Sequence, residues 1–145
     1  MKKVLLSLAF FLSFLAARGQ EKSPEALLAA WEKSWNTYDL KEVPRLFVAD
    51  QSVTYFSSER AGLIQGIDSL IKHHRGFGFV EGGKTSANRL WLTDVRHRPL
   101  SATALWHFQR PGSPEQRGPV TFILQRSGEG YRIAHAHFSN DPKGR

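Results

Sequence analysis

Two histidines close to the C-terminus are the residues of this sequence that point most directly to chemistry. His135 and His137 lie in residues 131–138, where β-branched and aromatic side chains predict a strand. Side chains alternate between the two faces of a strand, so both imidazoles are expected on the face that carries Ile133. Because Ile133 is apolar, we expect this face to be the inner, concave one. Two inward imidazoles could polarise a ligand carbonyl or transfer a proton, which makes them the candidate catalytic residues.

The same pair allows two other interpretations. Both imidazoles would also serve as hydrogen-bonded walls of a pocket without doing chemistry. Side chains two residues apart on a strand can converge on a metal ion, but the motif lacks a third ligand, so no metal is predicted. The side chains that the fold would have to bring to such a site are Asp68, His73, His74 and His107. For His73 and His74, which end a predicted helix, a favourable interaction of positive charge with the helix dipole is the simpler explanation.

Three aromatic side chains are candidates for the wall of a ligand pocket. Tyr55 lies in the β-prone residues 52–56, and its hydroxyl is able to donate a hydrogen bond to a developing oxyanion. Trp91 and Trp106 lie in predicted strands, where they would stack on a flat or apolar ligand. Packing in the core or at a subunit interface is the alternative for both tryptophans. The predicted pocket residues are therefore Tyr55, Trp91, Trp106, His135 and His137.

Helical periodicity in the first half of the chain predicts three helices. Ser23 followed by Pro24 is typical of a helix start, and an apolar stripe follows along residues 24–38. Asp39 and Glu42 have the spacing of a capping box for a short second helix. A third helix is predicted from residue 67 to about residue 74, where glycines stop it.

Segments rich in β-branched and aromatic residues predict strands in the rest of the chain. The long ones are residues 85–95, 102–109, 119–126 and 131–138, and the short ones are residues 52–56 and 63–65. Separators that contain Pro or Gly favour antiparallel neighbours. This order of elements, helices first and long strands afterwards, indicates an α+β fold in which the sheet curls around the helices.

The last hairpin resembles a landmark of the SnoaL-like proteins of the nuclear transport factor 2 and ketosteroid isomerase superfamily. Residues 118–139 contain an apolar strand, a Gly-containing turn, Tyr-Arg-Ile, and then His-Ala-His followed by Phe-Ser. Residues 31–39 and the Gly66-Ile67-Asp68 helix start are similar to further landmarks of that superfamily. The resemblance implies a cone-shaped, cystatin-like fold, in which a curved antiparallel sheet wraps three N-terminal helices around a pocket. It also implies homodimers, but it does not imply one activity.

The sequence departs from the ketosteroid isomerases of that superfamily. Those enzymes use a carboxylate base in the pocket, together with a tyrosine and a protonated acid as oxyanion donors. Tyr55 resembles a position from which such enzymes present a polar group to the pocket. Residues 52–56 contain no acid, and the nearest ones, Asp50 and Glu59, flank that stretch. Steroid isomerisation is therefore not predicted. A Gly-rich phosphate loop is also absent, and no cofactor is predicted.

The N-terminus has the features of a secretory signal peptide. Lys2 and Lys3 precede an apolar run at residues 4–17, and small residues follow at Ala17 and Gly19. The run is shorter than the roughly 20 residues that a membrane-spanning helix needs, so no stable membrane insertion is predicted. We expect residues 1–19 to be a signal peptide and residues 20–145 to be one periplasmic or secreted domain. The chain has no cysteine and therefore cannot use disulfides there.

Charge gives little support to a nucleic-acid partner. The formal net charge is +7, and Lys2, Lys3 and Arg18 in the predicted leader contribute to it. The remaining basic residues are dispersed rather than clustered. A solvated surface explains them, and nucleic acid is not predicted as a partner.

Three functions are compatible with the sequence. The leading hypothesis is a protein that binds a small, partly apolar molecule in its internal pocket. The second is an isomerase, dehydratase or cyclase in which His135 or His137 transfers a proton. The third is a non-catalytic dimerisation or interaction module that uses the outer face of the sheet, where Arg89, Trp91 and Thr93 would share one face. The sequence does not decide whether a reaction is catalysed.

Overall fold

A computed structural model of the chain describes residues 19–142, so the predicted signal peptide lies outside the described residues except for Gly19. The helices are α1 (Pro24–Thr37), α2 (Glu42–Leu46) and α3 (Ile67–Gly76). The strands are β1 (Thr54–Phe56), β2 (Leu63–Gln65), β3 (Arg89–Arg98), β4 (Ser101–Gln109), β5 (Gln116–Ser127) and β6 (Gly130–Phe138). No helix in residues 19–142 has the length and apolarity needed to cross a bilayer.

One six-stranded sheet contains all of these strands, in the order β2-β1-β6-β5-β4-β3. Neighbouring strands are antiparallel, as predicted, except that β1 runs parallel to β6. The sheet is therefore mixed, because the short β1-β2 hairpin extends it beside the C-terminal strand. The helices cover one face, which we call the inner face, and the opposite face is called the outer face.

The first helix forms for the reasons that the sequence indicates. The Ser23 hydroxyl accepts a hydrogen bond from the backbone N–H of Ala26 at 3.1 Å, which caps the N-terminus. At the other end Tyr38 takes a left-handed backbone conformation, with φ of 50°, and stops the helix. The second helix begins at Glu42, and its N-cap residue is Lys41. The prediction that Asp39 caps this helix is therefore wrong. Instead, the Asp39 carboxylate accepts hydrogen bonds from the backbone N–H groups of Lys41 and Gly82.

The core lies between α1 and the inner face of the central strands. Trp31 is fully buried, and its ring lies 5.1 Å from the ring of Phe122 and 5.6 Å from that of Phe138. Burying a side chain of this kind stabilises the fold by about 1.5–3 kcal/mol. Packing between α1 and strands β5 and β6 therefore fixes which face of the C-terminal hairpin is turned inward.

Candidate functional site

A β-bulge in β6 determines where the two C-terminal histidines point. Ile123 pairs with His135, but the next residue of β5, Leu124, pairs with Ile133. Ala134 is therefore an extra residue without a partner across the ladder, and the alternation of side chains is reversed after it. Ile133 and Ala136 are both 0% exposed, so both face inward although they are three residues apart.

The prediction that His135 and His137 look into the cone is wrong, because the bulge turns both imidazoles to the outer face. His135 Nδ1 lies 2.8 Å from the hydroxyl oxygen of Thr54. The His137 ring lies 5.1 Å from the ring of Phe56, an exposed side chain of the outer face. Burial, and secondarily His137, lower the pKa of His135. The hypothesis of proton transfer by these histidines inside a pocket therefore loses its geometric basis.

Full charges are absent from the middle of the outer face, away from the ends of the four central strands. Its residues are Thr54, Phe56, Ser101, Thr103, Leu105, His107, Pro119, Thr121, Ile123, His135 and His137. Phe56, Leu105 and Ile123 are large apolar side chains that are exposed there. The arginines on the same side are at the periphery of this set, and they are Arg96, Arg98, Arg117 and, opposite Gln125, Arg132.

Trp91 lies on the outer face and does not line the internal cavity, contrary to the pocket prediction. Its ring stacks on that of His107, with centroids 5.0 Å apart and planes inclined by 6°. His107 Nε2 lies 2.8 Å from the Thr93 hydroxyl, and its Nδ1 lies 2.7 Å from the Glu115 carboxylate. Arg89 lies over the Trp91 ring at 5.3 Å, so Arg89, Trp91 and Thr93 do share one face as predicted. Trp91 is missing from the internal site because the inner position of β3 is occupied by the buried Leu90.

The internal cavity is small and aromatic. It has a volume of about 30 Å³, and Tyr55 and Trp106 both line it, as predicted. The other residues around it are Trp35, Ser57, Ser58, Glu59, Phe77, Leu90, Phe108 and Phe138. Trp106 Nε1 donates a hydrogen bond to the backbone oxygen of Ser139 at 2.9 Å. The side chains of the cone therefore fill most of the space that a ligand would take.

Within the described part of the chain, two hydrogen-bond donors of residues that line this cavity have no partner. Tyr55 is buried, burial raises the pKa of its hydroxyl, and no hydrogen bond to that hydroxyl is present within residues 19–142. Trp35 Nε1 is also buried and without a partner among the described residues. Buried polar groups are normally hydrogen-bonded, so an acceptor such as a water or a ligand oxygen would satisfy either group.

His74 is a buried residue whose environment was not foreseen from the sequence. It is 2% exposed, and its Nδ1 lies 2.9 Å from the backbone oxygen of Leu70, which only accepts, so Nδ1 carries the proton. Burial lowers the pKa of His74 to about 4. The residue is therefore neutral at pH 7, and the predicted interaction of its positive charge with the helix dipole is wrong. The signal was its spacing of four residues from the buried Leu70, which places both on one helix face.

Metal ligands are not brought together in the described part of the chain. Within residues 19–142 there is no group of three or more His, Asp or Glu side chains arranged to hold an ion. His135 and His137 have ring centroids 6.5 Å apart and lie on a different face from the buried His74.

Comparisons with known proteins identify the fold. No protein-family model and no curated protein matches the sequence. Among solved structures, a nuclear transport factor 2-like superfamily protein from Salmonella enterica is 20% identical, with a TM-score of 0.60, covering 81% of this chain and 87% of that one. A ketosteroid isomerase-like protein from Erwinia carotovora atroseptica is 16% identical, with a TM-score of 0.58, covering 82% of this chain and 94% of that one.

A third similar structure is a predicted calcium/calmodulin-dependent protein kinase type II association domain from Thiobacillus denitrificans. It is 14% identical, with a TM-score of 0.64, and the match covers 85% of this chain and 98% of that one. At these identities the comparisons show the fold alone. This chain has the α+β fold of nuclear transport factor 2-like and ketosteroid isomerase-like proteins, which confirms the fold predicted from the sequence.

Proposed function

We propose that this protein is a non-catalytic association module, in which the outer sheet face binds the same face of a second copy. The observation that carries the proposal is the absence of Lys, Arg, Asp and Glu from the middle of the outer face, between the ends of the four central strands. Depletion of charge at the centre with arginine at the rim is the composition of a protein interface. The inner cavity, at about 30 Å³, is far below the several hundred Å³ of a ready ligand pocket.

The apolar side chains of this face support pairing of identical copies. Phe56 lies opposite His137 in the neighbouring strand, and Ile123 lies opposite His135. An isologous interface needs a self-complementary patch, which uncharged aromatic, aliphatic and hydroxyl side chains supply. The His135 imidazole fits this setting, because burial already lowers its pKa and an interface core favours the uncharged form.

A pair of matched substitutions tests the association. Ile123→Glu places a carboxylate at the centre of the outer face, where Ile123 is 42% exposed. Val80→Glu is the control, since Val80 is 41% exposed and lies in the loop after α3. In sedimentation equilibrium we expect a dimer for the wild type and for Val80→Glu, and a monomer for Ile123→Glu. A wild type that stays monomeric at high concentration would refute the proposal.

A second candidate function is binding of a small, partly apolar molecule at the inner cavity. The specific observation in its favour is the buried Trp35 Nε1, which has no hydrogen-bond partner among the described residues, at a mostly aromatic cavity that Tyr55 also lines. A molecule with an apolar body and one acceptor oxygen matches that lining. In this function the cavity would bind the molecule without transferring a proton to or from it.

Ligand entry requires the cavity to open, because a space of about 30 Å³ corresponds to one water molecule. The β1-β2 loop forms one part of the wall. Ser57, Ser58 and Glu59 line the cavity, and the loop is held to the C-terminal segment by a hydrogen bond of 3.1 Å from the Asn140 amide to the Ser58 carbonyl. Displacement of this loop would widen the mouth without disturbing the sheet.

Acetophenone, which has an aromatic ring and one carbonyl, is a suitable probe. We expect it to shift the indole N–H resonances of Trp35 and Trp106 in a saturable way. Tyr55→Phe is expected to weaken the affinity by roughly threefold to tenfold, the net effect of one hydrogen bond. Tyr131→Phe is the control, because Tyr131 lies on β6 away from the cavity. Shifts that never saturate, or that are equal in both variants, would exclude this function.

We also propose that the domain of residues 20–145 acts in the periplasm or outside the cell after removal of residues 1–19. The basic start, the apolar run and the small residues before Gln20 support this. N-terminal sequencing of the protein from a periplasmic fraction is expected to begin near Gln20. Recovery only in the cytoplasm with an intact N-terminus would contradict it.

A further inference from the structure

A surface cleft beside β2 and α3 is separate from both the inner cavity and the centre of the outer face. Its volume is about 400 Å³. Polar and charged side chains from the β1-β2 loop, β2 and α3 line it, and these include Arg60, Gln65, Ser69, Lys72 and His73. No Asp or Glu is among the described residues that form its wall. The cleft is therefore large enough for a small molecule and has a positive lining.

The two cations of the cleft are free to bind a ligand. Arg60 and Lys72 are exposed, and neither takes part in an ion pair or hydrogen bond within residues 19–142. An arginine guanidinium offers a planar set of N–H donors that matches a carboxylate or phosphate, and lysine adds a mobile point charge. An oxyanion would thus find two charge-assisted contacts without having to displace a protein carboxylate.

His73 connects the cleft to the aromatic interior. Its ring lies 5.4 Å from that of Tyr55 and 5.1 Å from that of Phe77, both of which line the inner cavity. Burial lowers the pKa of His73, the nearby Arg60 lowers it further, and Glu59 opposes them by raising it. A bound anion would act in the same direction as Glu59, so anion binding is linked to proton uptake by this imidazole.

We propose that this cleft binds the oxyanion group, a carboxylate or a phosphate, of a small molecule, with Arg60 and Lys72 as its cationic contacts and His73 beside it. The proposal does not depend on self-association, and it does not require the inner cavity to open. It assigns the cleft a ligand class by charge and donor geometry.

Benzoate and inorganic phosphate are the two probes, titrated separately at constant ionic strength with chloride as the balancing anion. Ring-proton NMR of the histidines is the readout, and His73→Gln assigns the His73 signal. We expect a saturable shift of that signal and a rise in the His73 pKa with at least one probe. Saturation by benzoate alone assigns a carboxylate, and saturation by phosphate alone assigns a phosphate.

Charge-neutralising variants separate a site from general screening. Arg60→Gln and Lys72→Gln are each expected to weaken probe binding by roughly tenfold, as the loss of one charge-assisted contact implies. Arg96→Gln is the matched control, since Arg96 is an exposed arginine at the far edge strand β3. Circular dichroism checks that the variants are folded. The proposal is overturned if neither probe saturates, if chloride produces the same shifts, or if Arg96→Gln weakens binding as much as Arg60→Gln.

Discussion

His74 is expected to make the fold sensitive to mild acid. The imidazole is buried among the rings of Trp35, Phe47 and Phe79, at centroid distances of 5.7, 5.9 and 5.1 Å. A charged imidazole would have to give up its hydration there, and no described carboxylate is paired with it. Acid should therefore protonate His74 far more readily in the unfolded chain than in the folded protein.

The size of the effect follows from the two pKa values. The pKa of His74 is about 4 in the folded protein, against an ordinary value of 6.5. Between these values the unfolded state binds more protons, so the free energy of unfolding falls as the pH falls, by up to about 1.4 kcal/mol per pH unit. At pH values above 6.5, the ordinary pKa of histidine, the full contribution of neutral His74 to the free energy of unfolding is present. At pH 5 about 2 kcal/mol of stability should be lost through this one group.

Urea denaturation at several pH values between 7.5 and 5 measures this loss, with His74→Gln as the test variant and His97→Gln as the control. The His74→Gln variant should be less stable at pH 7.5, because a packed ring is replaced, but its stability should decline less between pH 6.5 and 5 than that of the wild type. The His97→Gln variant, changed at an exposed position of β3 outside the proposed interface, should retain the wild-type slope. Equal pH slopes for the wild type and His74→Gln would refute the reasoning.

Three further outcomes are expected. Lowering the pH well below the ordinary histidine pKa should raise the dimer dissociation constant, because protonated His135 would have to lose its proton to enter the interface, and sedimentation at several pH values checks this. Phe122→Ala should cost about 3–5 kcal/mol in urea denaturation, because this core ring is fully buried. Gly118→Ala should destabilise the protein in thermal unfolding, because a Cβ there would meet the backbone of Ser139 and Asp141, whereas Gly76→Ala, with open space around its Cβ position, should not.

Local signals predicted the helices and most strand positions. The capped start at Ser23 and the apolar spacing of α1 define that helix without reference to the rest of the chain. The last hairpin was predicted equally well, with β6 observed at Gly130–Phe138. These elements depend on periodicity, caps and turns, and each of these signals is determined by residues close together in the sequence.

The orientation of the C-terminal histidines was not predicted, because it depends on a bulge. An uninterrupted strand with Ile133 inside would have placed Phe138 outside, yet Phe138 is buried against Trp31. Packing of Ile133, Ala136 and Phe138 on one face requires one extra residue, and Ala134 provides it. The sequence contains one indication of the bulge: Ile133 is at an odd-numbered position, whereas the apolar Ala136 and Phe138 are at even-numbered ones.

Contacts between distant segments explain the other differences. The parallel pairing of β1 with β6 joins residues about eighty positions apart, and no local pattern specifies it. The sequence predicts that Trp91 and Trp106 both lie in strands, but it does not specify which face of the sheet each one is on. In the sheet, Leu90 pairs with Phe108 on the inner face; Trp106 shares that face, and Trp91, next to Leu90, is on the outer one. Tyr55 lines the cavity, and so does Trp35, a buried residue of the apolar stripe of α1 whose Nε1 has no partner among the described residues.

The central claim is that two copies meet through the outer sheet face, and isotope-filtered NMR on a mixed sample tests it most directly. One half of the sample carries ¹³C-labelled methyl groups and the other half is unlabelled, so that only contacts between copies give cross-peaks. We predict intermolecular cross-peaks to the methyl groups of Leu105 and Ile123, and none to those of Val80. Cross-peaks to Val80 alone, or no intermolecular signal at millimolar concentration, would contradict the account.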